Sequence, residues 1–188
     1  NTQLNYWKEQ LLGFELLELP IDMVRPKLTD YAGQDLYFNI DSEQTTILKE
    51  LAKEQGVTLH SVLLSVFYIL LFKHTNQSDI TIGTPIANRH YVQLENLIGL
   101  FVNSLAIRAR LDPTQTIETF IQQIHAGMVE AQTHQDLPFE KLVEELKVEK
   151  DTSRHPIFQV MFGVQSFGDG DARQGTNKGA GPDHGCFF

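Results

Sequence analysis

Three short clusters in the 188-residue sequence bring together side chains that can do chemistry. Residues 134–140 (His-Gln-Asp-Leu-Pro-Phe-Glu) pack an imidazole, His134, a carboxylate, Asp136, and a helix start into one stretch. These are the residue types of acid–base work. They also suit a plainer role, with Asp136 capping, Phe139 anchoring and His134 closing the preceding helix, where a cation complements the dipole. Residues 151–156 (Asp-Thr-Ser-Arg-His-Pro) put Arg154 just before the last apolar stretch, where it also fits a surface turn. Residues 86–89 (Ile-Ala-Asn-Arg) put Asn88 and Arg89 after a strand end, where Arg89 also fits an ordinary loop charge. A fourth candidate is a single carboxamide. Asn103 stands between Phe101 and Leu105 in an otherwise apolar run. Buried there without partners it costs about 1–3 kcal/mol. It either bonds neighbouring backbone to fix a bulge or lines a substrate passage.

The familiar signatures are missing. There is no Gly-x-Ser-x-Gly elbow, no P-loop and no His-Glu-x-x-His, and Gly168 and Gly170 open a dinucleotide-like pattern that no helix follows. His60, His74, His90, His125, His134, His155 and His184 show no metal-ligand spacing. Neither a catalytic residue nor a metal ligand is assigned.

The elements that must position these clusters follow from periodicity. Residues 4–12 read as a helix carrying Tyr6, Trp7, Leu11 and Leu12 and ending at Gly13; residues 19–33 read as a loop, and 36–40 as a strand. Asp41 with Gln44 resembles a capping box for a helix that Gly56 stops. Thr58 caps a helix running to about His74, apolar nearly all round and so expected to be buried all round. Its marked face is Leu59, Val62, Leu63, Val66, Phe67, Leu70 and Leu71. Residues 79–87 read as a strand that Pro85 pushes to an edge or terminates, and 88–96 as a polar connection. Residues 97–110 read as a strand covered on both faces that emerges into solvent at Arg108 and Arg110. Ile117, Phe120, Ile121, Ile124 and Met128 mark an amphipathic helix, and Phe139, Leu142, Val143 and Leu146 another, opened by Asp136 and Pro138. Residues 157–164 read as the last strand. Alternating helices and covered strands predict an α/β layered domain.

Composition narrows the classes. A formal charge of −9 argues against nucleic acid, which needs a net basic surface. The apolar run 62–72 is too short for a bilayer span, so no membrane role is expected. One cysteine, Cys186, excludes a disulfide framework and points to a reducing compartment, the cytoplasm. The chain starts at Asn1 rather than methionine, as expected of a piece of something longer or a processed product. Residues 1–168 are expected to form one domain. Residues 169–188 form a glycine- and aspartate-rich tail expected to be disordered or extraneous to it.

Together the clusters resemble a known family. Residues 83–89 (Gly-Thr-Pro-Ile-Ala-Asn-Arg), 98–104 (Ile-Gly-Leu-Phe-Val-Asn-Ser), 134–140 and 153–158 (Ser-Arg-His-Pro-Ile-Phe) come in the order and rough spacing of condensation domains of nonribosomal peptide synthetases. Tyr6-Trp7 and residues 56–59 fit too, and Ser104 stands where threonine is commoner. The resemblance implies a chloramphenicol-acetyltransferase-like lobe, a layered sandwich with a mixed sheet covered by helices. The family's catalytic His-His-x-x-x-Asp-Gly does not occur in these residues, so the match is to the second, C-terminal lobe. A positioned base contributes about 10²–10⁴-fold, and this chain alone is expected to be nearly inactive.

The family joins an aminoacyl and an acyl thioester, both borne on phosphopantetheine arms, into an amide. The resemblance implies no cofactor bound directly, since those arms belong to carriers. It implies as partners the N-terminal lobe of the same domain and upstream and downstream peptidyl carrier proteins, with self-association of the isolated lobe. Phe101, Asn103 and Ser104 would face or support the substrate channel, while Asn88, Arg89, His134, Asp136 and Arg154 are motif residues without an assigned role. Within 79–110, Arg89, Arg108 and Arg110 against Asp79 and Glu95 give a slight excess of base compatible with an acidic carrier. The alternatives are a non-catalytic carrier-docking lobe, an epimerisation domain and a CoA-dependent acyltransferase.

Overall fold

Capping chemistry sets where the helices begin. The structure is a computed structural model that describes residues 2–27, 32–87, 102–148, 151–165 and 186–187. Asp41 accepts the Gln44 amide at 2.8 Å ahead of α2 (Ser42–Glu54), after α1 (Thr2–Gln10). Thr58 accepts the Ser61 amide at 3.1 Å ahead of α3 (Leu59–Thr75). Before the later α4 (Ile117–Thr133), Thr116 accepts the Thr119 amide at 3.2 Å. Each bond satisfies a donor that the first turn leaves orphaned. Gly13 and Gly56, with φ of +64° and +65°, turn the chain after α1 and α2.

β1 (Asp79–Ile86) and β2 (Asn103–Arg110) pair antiparallel along their full length, from Asp79 opposite Arg110 to Ile86 opposite Asn103. At the other edge of β1, the Gly83 amide donates to the Val160 carbonyl at 3.0 Å, and the Gly83 carbonyl accepts from Phe162 at 2.8 Å. That bridge is parallel, so the sheet is mixed. α3 packs on α4 and on α2, α4 covers β2, and α5 (Phe139–Glu145) also meets β2. β3 (Gly163–Val164) pairs antiparallel with β4 (Cys186–Phe187). The core runs from Trp7 and Leu11 through Leu64, Tyr68, Ile80, Ile82, Leu105 and Ile107 to Ile157, Phe158 and Phe162. This is the expected α/β layering.

Four expectations need correction. Residues 36–40 are extended but form no strand, and Leu36 and Tyr37 are 88% and 82% exposed. A strand needs a neighbour, and none of the described strands pairs with them. α3 is not covered all round: Val66 and Leu70 lie about half exposed, while the small or hydroxylated Ser61, Ser65 and Tyr68 are buried beside Val62, Leu64 and Leu71. Hydroxyls can face the core because each finds an acceptor, Ser65 the Ser61 carbonyl and Tyr68 the Ile107 carbonyl at 2.6 Å. Arg108 does not emerge into solvent with Arg110. Its side chain is 5% exposed and bonded to Asp79, as described below. The last strand is shorter than 157–164, reduced to the bridge at Met161 and to β3. Pro85 acts as a stop, since β1 ends one residue later.

Arg108 turns inward because its partners are there. Its Nε and Nη2 donate to the two carboxylate oxygens of Asp79 at 2.7 and 2.6 Å. Nη1 and Nη2 donate to the carbonyls of Gln10, the last residue of α1, and of Leu12 and Gly13 in the turn that follows it. Burial raises the Asp79 carboxyl, but hydrogen bonds and charge from Arg108 and Arg110 outweigh it and hold the group below its usual value.

Gly83 is required by contact rather than by conformation. A Cβ built on it would sit 2.3 Å from the Phe158 ring, which is fully buried and cannot retreat. Gly83→Ala is expected to lower stability by roughly 1–3 kcal/mol, the cost of overpacking, in urea unfolding monitored by circular dichroism.

Candidate functional site

The structure brings the 134–140 and 151–156 clusters together at one end of the sheet, and Asn103 is joined to the first of them. Opening β2, it sits beside the turn between α4 and α5. Its Nδ2 donates to the carbonyls of Gln135 and Leu137, both at 2.9 Å, and its Oδ1 accepts the Phe139 amide at 3.1 Å. The half-buried carboxamide is thereby satisfied from a single loop. It also replaces an expected cap. Asp136 does not cap α5; it is exposed and accepts from Gln3 Nε2 at 2.8 Å. Pro138, the N-cap residue, makes no side-chain cap bond, and the first amide of α5 goes instead to Asn103.

His134 closes α4, as expected, its amide bonded to the Ala131 carbonyl. One face of its ring is stacked on Tyr6 with centroids 4.0 Å apart, and its Nδ1 lies 2.9 Å from Thr133 Oγ1 and 3.0 Å from the Glu130 carbonyl. Its own carbonyl accepts Trp7 Nε1 at 2.8 Å. Burial and the Glu130 charge push the Tyr6 hydroxyl up to about 12. Tyr6-Trp7 and the 134–140 cluster are therefore one contact, and a Lys8–Glu145 ion pair at 2.8 Å extends it to α5.

Phe139 continues the assembly toward β1. It stacks on His155, which stacks on Phe158, the ring that lies against Gly83. Arg154 bonds Glu18 at 2.9 Å and pairs with Asp151 at 3.1 Å, anchoring the segment after α1. Ser104 is half-buried opposite Pro85. Phe101, Asn88 and Arg89 lie outside the described residues.

Two features were not legible beforehand. Ser61 Oγ lies 3.1 Å from His125 Nδ1 and 2.9 Å from Thr58 Oγ1, a serine–histidine pair 64 residues apart in sequence. Ser61 is 1% exposed, so the pair is a clasp between α3 and α4 that no substrate reaches. The buried hydroxyls of Thr81 and Thr84 have no hydrogen-bond partner among the described residues. Among the described residues, no group of three or more His, Cys, Asp and Glu could hold a metal, and no single helix is long and apolar enough to cross a membrane. Of the charges within 79–110, Arg108 and Arg110 both pair with Asp79, while Arg89 and Glu95 lie outside the described residues.

The layers, mixed sheet and converging motif residues define a chloramphenicol-acetyltransferase-like α/β fold. The condensation-domain family model matches residues 1–184, and the chain belongs to that family. It is 44% identical over 164 residues to N-(5-amino-5-carboxypentanoyl)-L-cysteinyl-D-valine synthase of Amycolatopsis lactamdurans, covering 87% of this chain and 4% of that one. Against chondramide synthase cmdD of Chondromyces crocatus, the identity is 43% over 164 residues, again covering 87% of this chain and 4% of that one. Among solved structures, a four-domain nonribosomal peptide synthetase, holo-AB3403, superposes with a TM-score of 0.87 at 32% identity, covering 90% of this chain and 13% of that one. The X-domain from teicoplanin biosynthesis superposes with a TM-score of 0.81 at 27% identity, covering 86% of this chain and 36% of that one. The chain thus spans a small part of the synthetases it matches.

His60, in the first turn of α3, meets the Phe162 ring edge-on with centroids 5.3 Å apart, and burial pulls its pKa below 6.5. The folded state therefore binds fewer protons here than the unfolded chain. The resulting stability is complete above pH 6.5 and is lost as pH falls through the lowered value. His60→Phe is expected to keep the ring contact and flatten the stability–pH curve between pH 6.5 and the lowered value, as read by thermal melts across a pH series.

Proposed function

We propose that this chain is the C-terminal lobe of a condensation domain that forms amide bonds between carrier-bound aminoacyl and peptidyl thioesters. One observation carries the proposal. A condensation-domain match runs along residues 1–184, while the His-His-x-x-x-Asp-Gly string is not among them. On this reading residues 1–168 are the lobe and 169–188 a tail. The catalytic base belongs to the N-terminal lobe of the same domain. This lobe contributes a channel wall, with Phe101, Asn103 and Ser104 facing or supporting it, and part of the surface on which upstream and downstream carriers dock. It binds no cofactor itself; the phosphopantetheine arms enter on those carriers. The setting is the cytoplasm.

A second reading has a specific observation behind it. The teicoplanin X-domain is also solved in a complex with OxyB, and that structure superposes with a TM-score of 0.82. A lobe of this fold that docks a partner without condensing anything is the competing function.

Mixing the chain with a separately produced N-terminal lobe and two loaded carriers separates the two. The condensation reading expects amide product only when both lobes are present, seen by mass spectrometry of the downstream carrier. Carrier binding by the chain alone, with no product in the mixture, favours docking.

The exposed apolar side chains also bear on the missing lobe. Met23, Val24, Leu36 and Tyr37 are each more than 80% exposed, and Val66 and Leu70 add a half-exposed ridge on α3. Exposed apolar surface is where partners dock when it is contiguous and large. The isolated chain is expected to self-associate with rising concentration in analytical ultracentrifugation, and to revert to a one-to-one complex when the N-terminal lobe is added.

A further inference from the structure

We infer that Asn103 is a positioning residue whose carboxamide sets the turn at 135–139, and that Trp7 carries the setting of that turn to α1. The inference deepens the condensation reading, choosing support rather than substrate contact for Asn103. It stands on contacts within this chain, so it survives if that reading fails.

Geometry leaves Asn103 little freedom to do anything else. Both contacts of Nδ2 and the contact of Oδ1 go to backbone atoms of Gln135, Leu137 and Phe139. Three bonds from one planar group to one turn fix position and orientation together. No other natural side chain of this size offers two donors and an acceptor in one plane. Aspartate has the shape but, when ionised, turns a second acceptor toward two carbonyl oxygens. Leucine has the volume and none of the bonds.

The consequence reaches beyond the turn. It presents Asp136 to Gln3, the His134 ring to Tyr6 and the His134 carbonyl to Trp7 on one side. On the other it starts α5 with Phe139 against His155 and Phe158. α1 and the segment carrying Arg154 are thereby referenced to the first residue of β2.

The sole tryptophan is a built-in reporter. Trp7 is 2% exposed and bonded to the turn at 2.8 Å, so its emission reads the turn from the α1 side. The test uses the 188-residue chain with N103L and N103D beside wild type. In N103L, the Phe139 amide is expected to exchange with solvent at least about tenfold faster, and Trp7 emission to shift to the red. In N103D the same red shift is expected at neutral pH and is expected to reverse on acidification. There a protonated carboxyl donates to one carbonyl and still accepts from Phe139. Tyr6, His134, Asp136, Glu140, Glu145, Lys8 and His155 also titrate or carry charge around the turn, and are common to all three proteins. Wild type and N103L at each pH therefore subtract their effect. A role in bulk stability alone predicts that Trp7 emission and Phe139 exchange in N103L change only with global unfolding, in step with every other core amide. Emission and Phe139 exchange unchanged in N103L, or N103D tracking N103L at every pH, folded or not, overturns the inference.

Discussion

A buried guanidinium holds the frame on which everything else is built. Arg108 carries a full charge into a place where its side chain is 5% exposed, which is tolerable only because Asp79 answers the charge and three carbonyls take the remaining donors. Those acceptors come from the end of α1 and the turn after it, while Asp79 opens β1 and Arg108 belongs to β2. One side chain thus joins three elements at their polar ends. The bidentate geometry also favours a single β1–β2 register, because sliding the strands by one residue would turn Arg108 to the other face.

From that frame the motif clusters become one assembly. Gly83 admits the Phe158 ring, Phe158 stacks on His155, His155 on Phe139, and Phe139 begins a helix whose first amide is held by Asn103. Tyr6 and Trp7 close the circuit onto His134. Many of these residues are of types associated with catalysis, yet they are engaged with one another. Polar groups at the ends of elements must be paired when half-buried, and here the family's motif residues do that pairing.

Much of the fold was legible in the residues. Asp41, Thr58 and Gly56 announced helix ends because capping is local: donor and acceptor lie three residues apart, and the backbone has no better partner. The strands expected at 79–87 and 97–110 are found as 79–86 and 103–110, with 97–101 outside the described residues and Val102 exposed ahead of β2. The strand expected at 36–40 was not realised, because pattern shows what a segment could pair with and not whether the neighbour is there. The face of α3 was misread for a related reason. Hydropathy ranks Val66 above Ser65, but packing selected the positions whose hydroxyls found acceptors.

What the sequence determined by itself was therefore everything set by contacts within a few residues: helix starts and stops, the end of β1 after Pro85, and the family signature carried in four short strings. What only the tertiary structure decided was the use of each polar side chain. Arg108 turned inward, Asp136 turned to Gln3 and Asn103 took over the cap of α5, across sequence separations of 29, 133 and 36 residues. The physical reason is that a polar group takes the best acceptor or donor the folded chain brings within about 3 Å, and that neighbour is chosen by the packing of the apolar core.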